Sequence, residues 1–369
     1  MRIVVVGGGA GGASAAVKAR RINEDAEILI YDKGPHLSYA NCGLPFFLGG
    51  EIEKREDLFV VPFSRFDGWF NVDVHPWHSV EEINRKNKTV TVRDIQGGKV
   101  FVDSYDRLIL ATGSQPFVPS IEGLRDGIRN VFTLTTVPDV DAACACLRDD
   151  EPQQALVIGG GFIGLEVTEA LTMRGVAVTL VERLPQVMPI VDSEFSNHLL
   201  GELGRLGVRV ILGDTVVGLD VDGDRVTGAV LASGTRVPCS LVMIAAGMRP
   251  DVSLPVAAGL DIGVAGGIVV NDRMQTSDAD IYAAGDCVES EELLTGRRVL
   301  SLLAGPANKQ GRVAGANAAG ADYVFRGALG TCIVRVGRMT VAKTGLSERD
   351  AERANKAHFV SDNYARDHA

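Results

Sequence analysis

The stretch Ile3-Val4-Val5-Val6-Gly7-Gly8-Gly9-Ala10-Gly11-Gly12 decides the fold of this chain of 369 residues. Its four leading apolar residues are typical of a buried strand, and its glycines follow the spacing Gly-x-Gly-x-x-Gly. A helix-like run continues to Arg21, and the strand Ile28 to Tyr31 then ends at Asp32. In this spacing the first glycine makes a tight turn, the second lets the backbone approach a pyrophosphate, and the third lets helix and strand pack closely. The stretch therefore predicts a dinucleotide site at a helix N-terminus.

The same design recurs further along the chain. The strand Ala155 to Ile158 leads into Gly159-x-Gly161-x-x-Gly164, and a helix over 162–173 and a strand over 176–181 follow, ending at Glu182. The acid that would bind the ribose lies 20 residues after the third glycine in the first copy and 18 in the second. One such glycine pattern often arises by chance, but two copies in full strand–loop–helix–strand context predict an α/β protein with two Rossmann-like nucleotide-binding domains.

Composition excludes several other classes of protein. The net charge of −10 argues against a nucleic-acid-binding surface, which needs clustered Lys and Arg. The six cysteines and six histidines show no ligand spacing, so no metal site is predicted. No apolar run approaches the ~18 residues of a membrane span, and the chain starts directly with a strand rather than a signal peptide. We expect a cytoplasmic protein with reduced thiols.

Shorter patterns complete the predicted fold. Residues 108–114 suggest a buried strand that ends in a small-residue turn, and residues 242–250 repeat that pattern. Apolar and polar residues alternate over 88–103, and 224–231 and 267–270 look similar, as antiparallel strands do. A strand near residue 281 leads to Asp286, whose carboxylate is suited to accept hydrogen bonds from a polyol, although Gly-Asp is also a common turn.

A single cysteine stands in the run Ser38-Tyr39-Ala40-Asn41-Cys42-Gly43-Leu44-Pro45. The next cysteine is Cys144, so Cys42 has no neighbour in sequence with which to close a disulfide. A helix predicted to begin just after Cys42 would lower the pKa of its thiol. An inert buried cysteine is the alternative interpretation.

Ser14, Lys18 and Arg21 lie on one face of the first predicted helix because they are spaced by four and three residues. This face is suited to an anionic ligand, and a solvated basic surface is the alternative interpretation. Spacing alone favours the solvated surface.

These motifs resemble the flavin- and pyridine-nucleotide-dependent disulfide reductases over nearly all of residues 1–325. The resemblance implies FAD at the first glycine loop and NADH, or NADPH, at the second. It also implies an FAD-binding domain of residues 1–113 and 247–325, an NAD(P)H-binding domain of 114–246, and a truncated α+β interface domain of 326–369. The cofactor-binding positions that it implies are Gly7, Gly9, Gly12, Asp32, Lys33, Val80, Ala111, Thr112, Gly113, Asp286, Ala304, Gly159, Gly161, Phe162, Ile163, Gly164, Glu166, Glu182 and Gly247.

The run around Cys42, together with residues 303–312, resembles the single-cysteine branch of these enzymes. This branch contains the coenzyme A disulfide reductases and the NADH-dependent persulfide reductases. The resemblance implies that Cys42 is redox-active and that the substrate is coenzyme A disulfide, coenzyme A persulfide or polysulfide. It implies substrate contacts from Ser14, Lys18, Arg21, Ser38 and Asn41, although Lys18 stands where the family can carry a neutral polar residue.

Related NADH oxidases and peroxidases form the main alternative, because they cycle one cysteine through a sulfenic acid. They carry a histidine at the position of Ala10, whose methyl group cannot donate a proton to a peroxide. A ferredoxin-reductase-like protein with an idle Cys42 is a further alternative. Glu182 favours NADH by repelling a 2′-phosphate, while the adjacent Arg183 partly offsets this preference.

The C-terminal region departs from the family pattern. Residues 331–341 predict a strand or hairpin, and a helix is predicted from Ser347, as its cap, to Ala357. The family uses a larger interface domain to form a homodimer. The resemblance therefore leaves open whether this chain dimerises and is active, or is an inactive FAD-binding protein.

Overall fold

A computed structural model of the protein describes residues 1–363. The α-helices are α1 (Ala10–Ile22), α2 (Leu44–Gly49), α3 (Phe63–Phe70), α4 (Val137–Asp149), α5 (Phe162–Met173), α6 (Ser193–Arg205), α7 (Ser253–Ala257), α8 (Ala304–Ala318) and α9 (Glu348–Arg353). The strands are β1 (Arg2–Val6), β2 (Glu27–Tyr31), β3 (Asp73–His75), β4 (His78–Asn84), β5 (Thr89–Asp94), β6 (Val100–Ser104), β7 (Arg107–Leu110), β8 (Ser114–Pro116), β9 (Val131–Phe132), β10 (Gln154–Ile158), β11 (Ala177–Glu182), β12 (Arg209–Leu212), β13 (Val216–Asp222), β14 (Arg225–Leu231), β15 (Arg236–Pro238), β16 (Leu241–Ile244), β17 (Met248–Pro250), β18 (Ile268–Val269), β19 (Ile281–Ala283), β20 (Val288–Glu291), β21 (Arg298–Leu300), β22 (Cys332–Val336) and β23 (Met339–Lys343).

The first Rossmann-like unit is built on a five-stranded parallel sheet in the order β19-β7-β1-β2-β3. Val4 in β1 pairs with Leu29 on one side and with Leu108 on the other. Both faces of this central strand are covered, which explains its unbroken apolar sequence. Because β19 comes from residues 281–283, the sheet joins chain segments that lie far apart in sequence.

The second unit repeats this architecture. Its sheet has the order β12-β11-β10-β16-β9, and every pairing within it is parallel. Val157 in β10 pairs with Leu180 and with Met243, as Val4 pairs with two neighbours in the first sheet. The α/β class and the two Rossmann-like units predicted from the glycine repeats are confirmed.

Antiparallel strands flank both units. The sheets β4-β5-β6 and β13-β14-β15 contain the alternating segments 88–103 and 224–231, as predicted. The prediction for 267–270 holds on one side only, because Ile268 forms an antiparallel bridge with Ile262 while β18 pairs in parallel with β20. A strand of two residues is too short for alternation to indicate its direction.

Helices α1 and α8 cross with their backbones in contact. A Cβ atom on Gly311 would lie 2.1 Å from the Gly11 carbonyl oxygen, and one on Gly315 would lie 2.0 Å from that of Ala15. Small residues at these four positions permit the crossing, which brings residues of α8 beside the first glycine loop.

The C-terminal segment packs on the second unit. The β22–β23 hairpin, predicted from sequence, contributes Val334, Val336 and Val341 to the core around α5. Ser347 caps α9 in a reciprocal capping box with Asp350. The helix ends at Arg353 rather than at the predicted Ala357, because Asn355 adopts a left-handed backbone with φ of 52°.

The last six residues of the predicted interface domain, 364–369, lie outside the described residues. Within residues 1–363, no helix has the length and apolar character needed to cross a membrane.

Candidate active site

The first and third glycines of each loop are in backbone contact. A Cβ atom on Gly12 would lie 1.8 Å from the Gly7 carbonyl oxygen, and one on Gly164 would lie 1.9 Å from that of Gly159. Gly7 and Gly159 also have φ values of 97° and 109°, which side chains disfavour. These four positions therefore require glycine for the turn itself.

The middle glycines, Gly9 and Gly161, differ from the other four. Apart from the adjoining backbone, no protein atom lies within 4 Å of a Cβ placed on either residue. Each is the N-cap of its helix, α1 or α5, without a capping side chain and without an acid in the first turn. Both helix N-termini thus present free N–H groups to open space, which fits the pyrophosphate of FAD at the first and of a pyridine nucleotide at the second.

The acid after the second strand is held in the same way in both units. The Asp32 carboxylate accepts hydrogen bonds from the N–H groups of Gly8 (2.6 Å) and Gly34 (2.7 Å). The Glu182 carboxylate accepts them from Gly160 (2.6 Å) and Leu184 (2.7 Å). These bonds fix each acid beside its glycine loop, where a ribose would meet it.

A third acid lies at the end of the first sheet. Asp286 follows β19 and accepts a hydrogen bond from the Ser114 hydroxyl at 2.8 Å, while burial raises the pKa of its carboxyl. The preceding Gly285 N–H donates to the Gln310 side chain of α8. The structure thus joins the predicted acid to the N-terminal half of α8.

The other predicted cofactor residues occupy the following places. Lys33 pairs with Asp251 at 3.0 Å. Ala111, Thr112 and Gly113 follow β7, Val80 lies in β4, Gly247 precedes β17 with φ of 116°, and Ala304, Phe162 and Ile163 lie in the first turns of α8 and α5.

Cys42 lies in a short 3-10 turn, Asn41–Gly43, directly before α2, and it is exposed. The prediction that the helix lowers the pKa of its thiol was wrong. Partial desolvation of the sulfur by the surrounding protein raises the pKa of this thiol, and the carboxylates of Glu166 and Asp286 raise it further. Helix α2 has only six residues, so its dipole is small beside two nearby negative charges.

The loop before Cys42 is anchored to the first glycine loop. The Ser38 N–H donates to the Gly8 carbonyl at 2.9 Å, and Ser38 has a left-handed φ of 49°. Tyr39 and Asn41 both donate side-chain hydrogen bonds to the Thr135 carbonyl before α4. These anchors bring the thiol, the first glycine loop and the second unit to one place.

The three residues of the predicted basic face do not all remain unpaired: two of them contact other parts of the chain. Ser14 donates to Asn308 of α8 at 2.6 Å, and the Lys18 ammonium lies 4.5 Å from the centre of the Tyr323 ring. Arg21 is exposed, and no ion pair or side-chain hydrogen bond within residues 1–363 involves it. Sequence reasoning missed Asn308 and Tyr323, because only the α1–α8 crossing brings them near.

The sequence analysis identified only one of two neighbouring acids on α5, Glu166, and missed Glu169. Glu166, predicted to lie near the cofactors, is partly buried, and burial together with the negative charge of Glu169 raises its pKa to about 7. Glu169 is 8% exposed and lies 3.7 Å from Arg335 of β22. The sequence gives no signal for the contact with Arg335, which lies more than 160 positions further on.

One cluster of possible metal ligands was not expected, because the spacing of the cysteines and histidines predicted no metal site. Potential ligand atoms of Glu348, Glu352 and His358 lie within 4.8 Å of one another. All three side chains are exposed, and exposed acids commonly cluster without an ion, so we assign no metal to them.

Comparison with known proteins identifies the family of this chain. The sequence profile described as "Pyridine nucleotide-disulphide oxidoreductase" matches residues 1–319. The chain belongs to this family. Its members use FAD and NAD(P)H, in agreement with the two open helix N-termini.

Several relatives extend the comparison. The chain is 33% identical to an NADH oxidase of Methanocaldococcus jannaschii over 94% of this chain and 76% of the relative. It is 32% identical to an NAD(P)H coenzyme A polysulfide/persulfide reductase of Pyrococcus horikoshii over 95% and 77%. The crystal structure of reduced Bacillus anthracis CoADR-RHD matches with a TM-score of 0.93 and 40% identity. That match covers 96% of this chain and 63% of the solved chain, so the present chain spans less than two thirds of its length.

Proposed function

We propose that the protein is an FAD-dependent NAD(P)H oxidoreductase that reduces coenzyme A disulfide, coenzyme A persulfide or polysulfide through Cys42. The observation that carries this proposal is the placement of an exposed thiol on a loop hydrogen-bonded to the first glycine loop at Gly8. A thiol held beside a flavin site is suited to exchange electrons with it. Family membership and the polysulfide/persulfide reductase relative support the same activity.

We assign FAD to residues 1–113 and 247–325, and the pyridine nucleotide to residues 114–246. Support comes from the glycine loops, from Asp32 and Glu182, and from the open space at Gly9 and Gly161. Bound FAD would supply the chemistry that converts the hydride of NADH into an electron pair for a sulfur centre. The residues of the chain orient both nucleotides through backbone N–H groups and fixed carboxylates.

Cys42 would perform the sulfur chemistry. Its thiolate attacks one sulfur of coenzyme A disulfide, forms a mixed disulfide and releases one coenzyme A thiolate. Two electrons then cleave the mixed disulfide, which restores the Cys42 thiolate and releases the second coenzyme A. The net reaction consumes one NADH and one proton for each disulfide and yields two thiols. A persulfide follows the same course and releases sulfide.

We infer that the α1 face recognises the coenzyme A part of the substrate. Lys18 and the exposed Arg21 supply positive charge suited to phosphate groups. Ser14 on this face, and Ser38 and Asn41 on the cysteine loop, add polar groups. Such a local basic site accounts for binding of an anionic substrate by a protein of net charge −10.

The second candidate function is that of an NADH oxidase or peroxidase that cycles Cys42 through a sulfenic acid. The exposed thiol and the NADH oxidase relative favour it. Ala10, the first residue of α1, offers only a methyl group beside the glycine loop, which weighs against protonation of a peroxide.

We also propose that two copies of the chain associate and that the protein is cytoplasmic. The exposed apolar side chains Ile333 and Phe359 of the C-terminal segment support association. The six free cysteines within residues 1–363 suit a reducing compartment. Light scattering on the purified protein tests the association.

Anaerobic turnover of NADH with coenzyme A disulfide, polysulfide and hydrogen peroxide, compared side by side, tests the proposed function. We expect turnover with at least one sulfur substrate that exceeds turnover with peroxide. Faster turnover with peroxide would favour the second candidate. A purified protein that stays colourless after addition of FAD would contradict both.

A further inference from the structure

The loops that follow the two ribose-side acids share one backbone geometry. Ser38 and Met188 each lie six residues after the acid of their unit, and both adopt a left-handed φ, of 49° and 48°. Each donates its N–H to the carbonyl of a residue within the glycine loop, at 2.9 Å to Gly8 and at 2.7 Å to Gly160. Residues other than glycine seldom adopt this conformation, so its recurrence marks a device that both nucleotide loops use.

In the second unit this loop packs tightly against the glycine loop. Val187 and Met188 are fully buried, and the Val187 carbonyl accepts a hydrogen bond from the Ser196 hydroxyl of α6 at 2.9 Å. A Cβ atom on Gly160 would lie only 3.0 Å from a methyl carbon of Val187. A shift of Val187 or Met188 would therefore displace Gly160, which directly precedes the open N-terminus of α5.

The C-terminal helix α9 holds the far end of the same loop. The Arg349 guanidinium donates to the Pro189 carbonyl, and the Glu348 N–H donates to the Asp192 carboxylate at 3.2 Å. Helix α9 is thus bonded to both ends of the short run from Pro189 to Asp192.

Pro189 makes this connection stiff. Its ring fixes its own φ, and the backbone of the residue before a proline is restricted as well. The Gln186 side chain donates to the Val191 carbonyl at 3.0 Å and so closes the loop across Pro189. Because Pro189 directly follows Met188, the position of its carbonyl is tied to the N–H that Met188 donates to Gly160.

We propose that Arg349 is a positioning residue for the pyridine nucleotide. Through Pro189 and Met188 it keeps the Gly160 backbone in the arrangement that receives the pyrophosphate before the nucleotide binds. A loop that is ordered beforehand loses less conformational freedom on binding, so the affinity is higher. The inference rests on the proposed assignment of the pyridine nucleotide to residues 114–246, and it gives the C-terminal segment a part in nucleotide binding.

The test compares FAD-bound wild type with Arg349→Met, Arg349→Lys and the control Arg353→Met, which alters an exposed side chain of the same helix. The first readout is the Kd for ADP-ribose, measured by isothermal titration calorimetry. This probe carries the adenosine and the pyrophosphate but no nicotinamide, so it binds without electron transfer. We expect the Kd to rise about fivefold in Arg349→Met and to stay at the wild-type value in Arg353→Met. Arg349→Lys should restore most of the affinity, because an ammonium group can also donate to the Pro189 carbonyl.

Asp192→Ala removes the other contact between α9 and the loop. It should also raise the Kd for ADP-ribose, and it carries the test if Arg349→Met does not fold. The second readout is the kinetics of NADH oxidation with coenzyme A disulfide and with polysulfide. We expect the KM for NADH to rise about fivefold in Arg349→Met while kcat stays close to that of the wild type, because the proposed flavin site and Cys42 lie in the first unit.

Unchanged Kd and KM in Arg349→Met and Asp192→Ala, with only a lower free energy of unfolding, would overturn the inference and leave these contacts a purely structural role. A wild type that binds ADP-ribose but reduces neither sulfur substrate would reject the proposed activity, while the Kd values would still decide the inference. A wild type that does not bind ADP-ribose would reject the nucleotide assignment and the inference with it.

Discussion

Gly12 lies so close to Gly7 that a Cβ atom on Gly12 would stand 1.8 Å from the Gly7 carbonyl oxygen. Gly164 and Gly159 repeat this contact at 1.9 Å in the second unit. The third glycine of each loop therefore serves the fold, while the second glycine, with no protein atom near it, leaves room for a ligand. Alanine substitutions separate these two roles.

Gly164→Ala is expected to lower the free energy of unfolding by more than about 2 kcal/mol, because a backbone oxygen cannot yield to the new methyl group. Gly161→Ala should cost less than about 1 kcal/mol, yet raise the KM for NADH, because its methyl group would occupy the space for the pyrophosphate. Chemical denaturation and NADH kinetics measure the two effects. Equal destabilisation by the two substitutions would contradict this division.

Glu182→Ser should shift the preference from NADH towards NADPH. Removal of the carboxylate takes away the repulsion of a 2′-phosphate, and the adjacent Arg183 remains to attract it. We expect the ratio of kcat/KM for NADPH to that for NADH to rise about tenfold. Glu194→Ser, at an exposed position of α6, serves as the control. An unchanged ratio would show that another residue selects the nucleotide.

Glu166→Gln should alter how stability depends on pH. The pKa of Glu166 is raised to about 7 in the folded protein, so the folded state holds a proton that the unfolded state releases near pH 4.5. Its contribution to stability is fully present below pH 4.5 and is lost as the pH rises towards 7. The free energy of unfolding of the variant, relative to that of the wild type, should therefore rise from pH 5 to pH 8 by up to about 3 kcal/mol. Urea unfolding at the two pH values measures this difference; parallel behaviour of both proteins would contradict the raised pKa.

Gly315→Ala tests the crossing of α1 and α8. Its Cβ would lie 2.0 Å from the Ala15 carbonyl oxygen, so we expect a loss of about 1–3 kcal/mol in the free energy of unfolding and weaker binding of coenzyme A. Gly201→Ala in α6 is a matched control, because its Cβ would meet open space. Alanine there should stabilise the helix by up to about 1 kcal/mol. A neutral Gly315→Ala would show that the helices separate without cost.

Local patterns in the sequence predict much of the fold. Strand, glycine loop, helix and acid follow one another within some 30 residues in each unit, and the predicted bounds of α5 agree with those observed. The capping box of α9 was equally readable, because Ser347 and Asp350 are three positions apart.

The electrostatics of the site could not be predicted in this way. The prediction for the Cys42 pKa failed because it considered the adjacent short helix and not Glu166 and Asp286, which come from distant strands and helices. The partners of Ser14 and Glu169, namely Asn308 and Arg335, lie far away in sequence for the same reason. Such contacts depend on how whole elements pack, and the spacing of residues carries no information about them.

The central claim is that Cys42 passes electrons from the flavin to a sulfur substrate. The most direct measurement is anaerobic oxidation of NADH by FAD-bound Cys42→Ser with coenzyme A disulfide or persulfide, beside the wild type and Cys287→Ser, which alters a fully buried thiol. We predict that Cys42→Ser still reduces its flavin with NADH but releases no thiol or sulfide, whereas Cys287→Ser turns over like the wild type. Undiminished release of thiol or sulfide by Cys42→Ser would contradict the account.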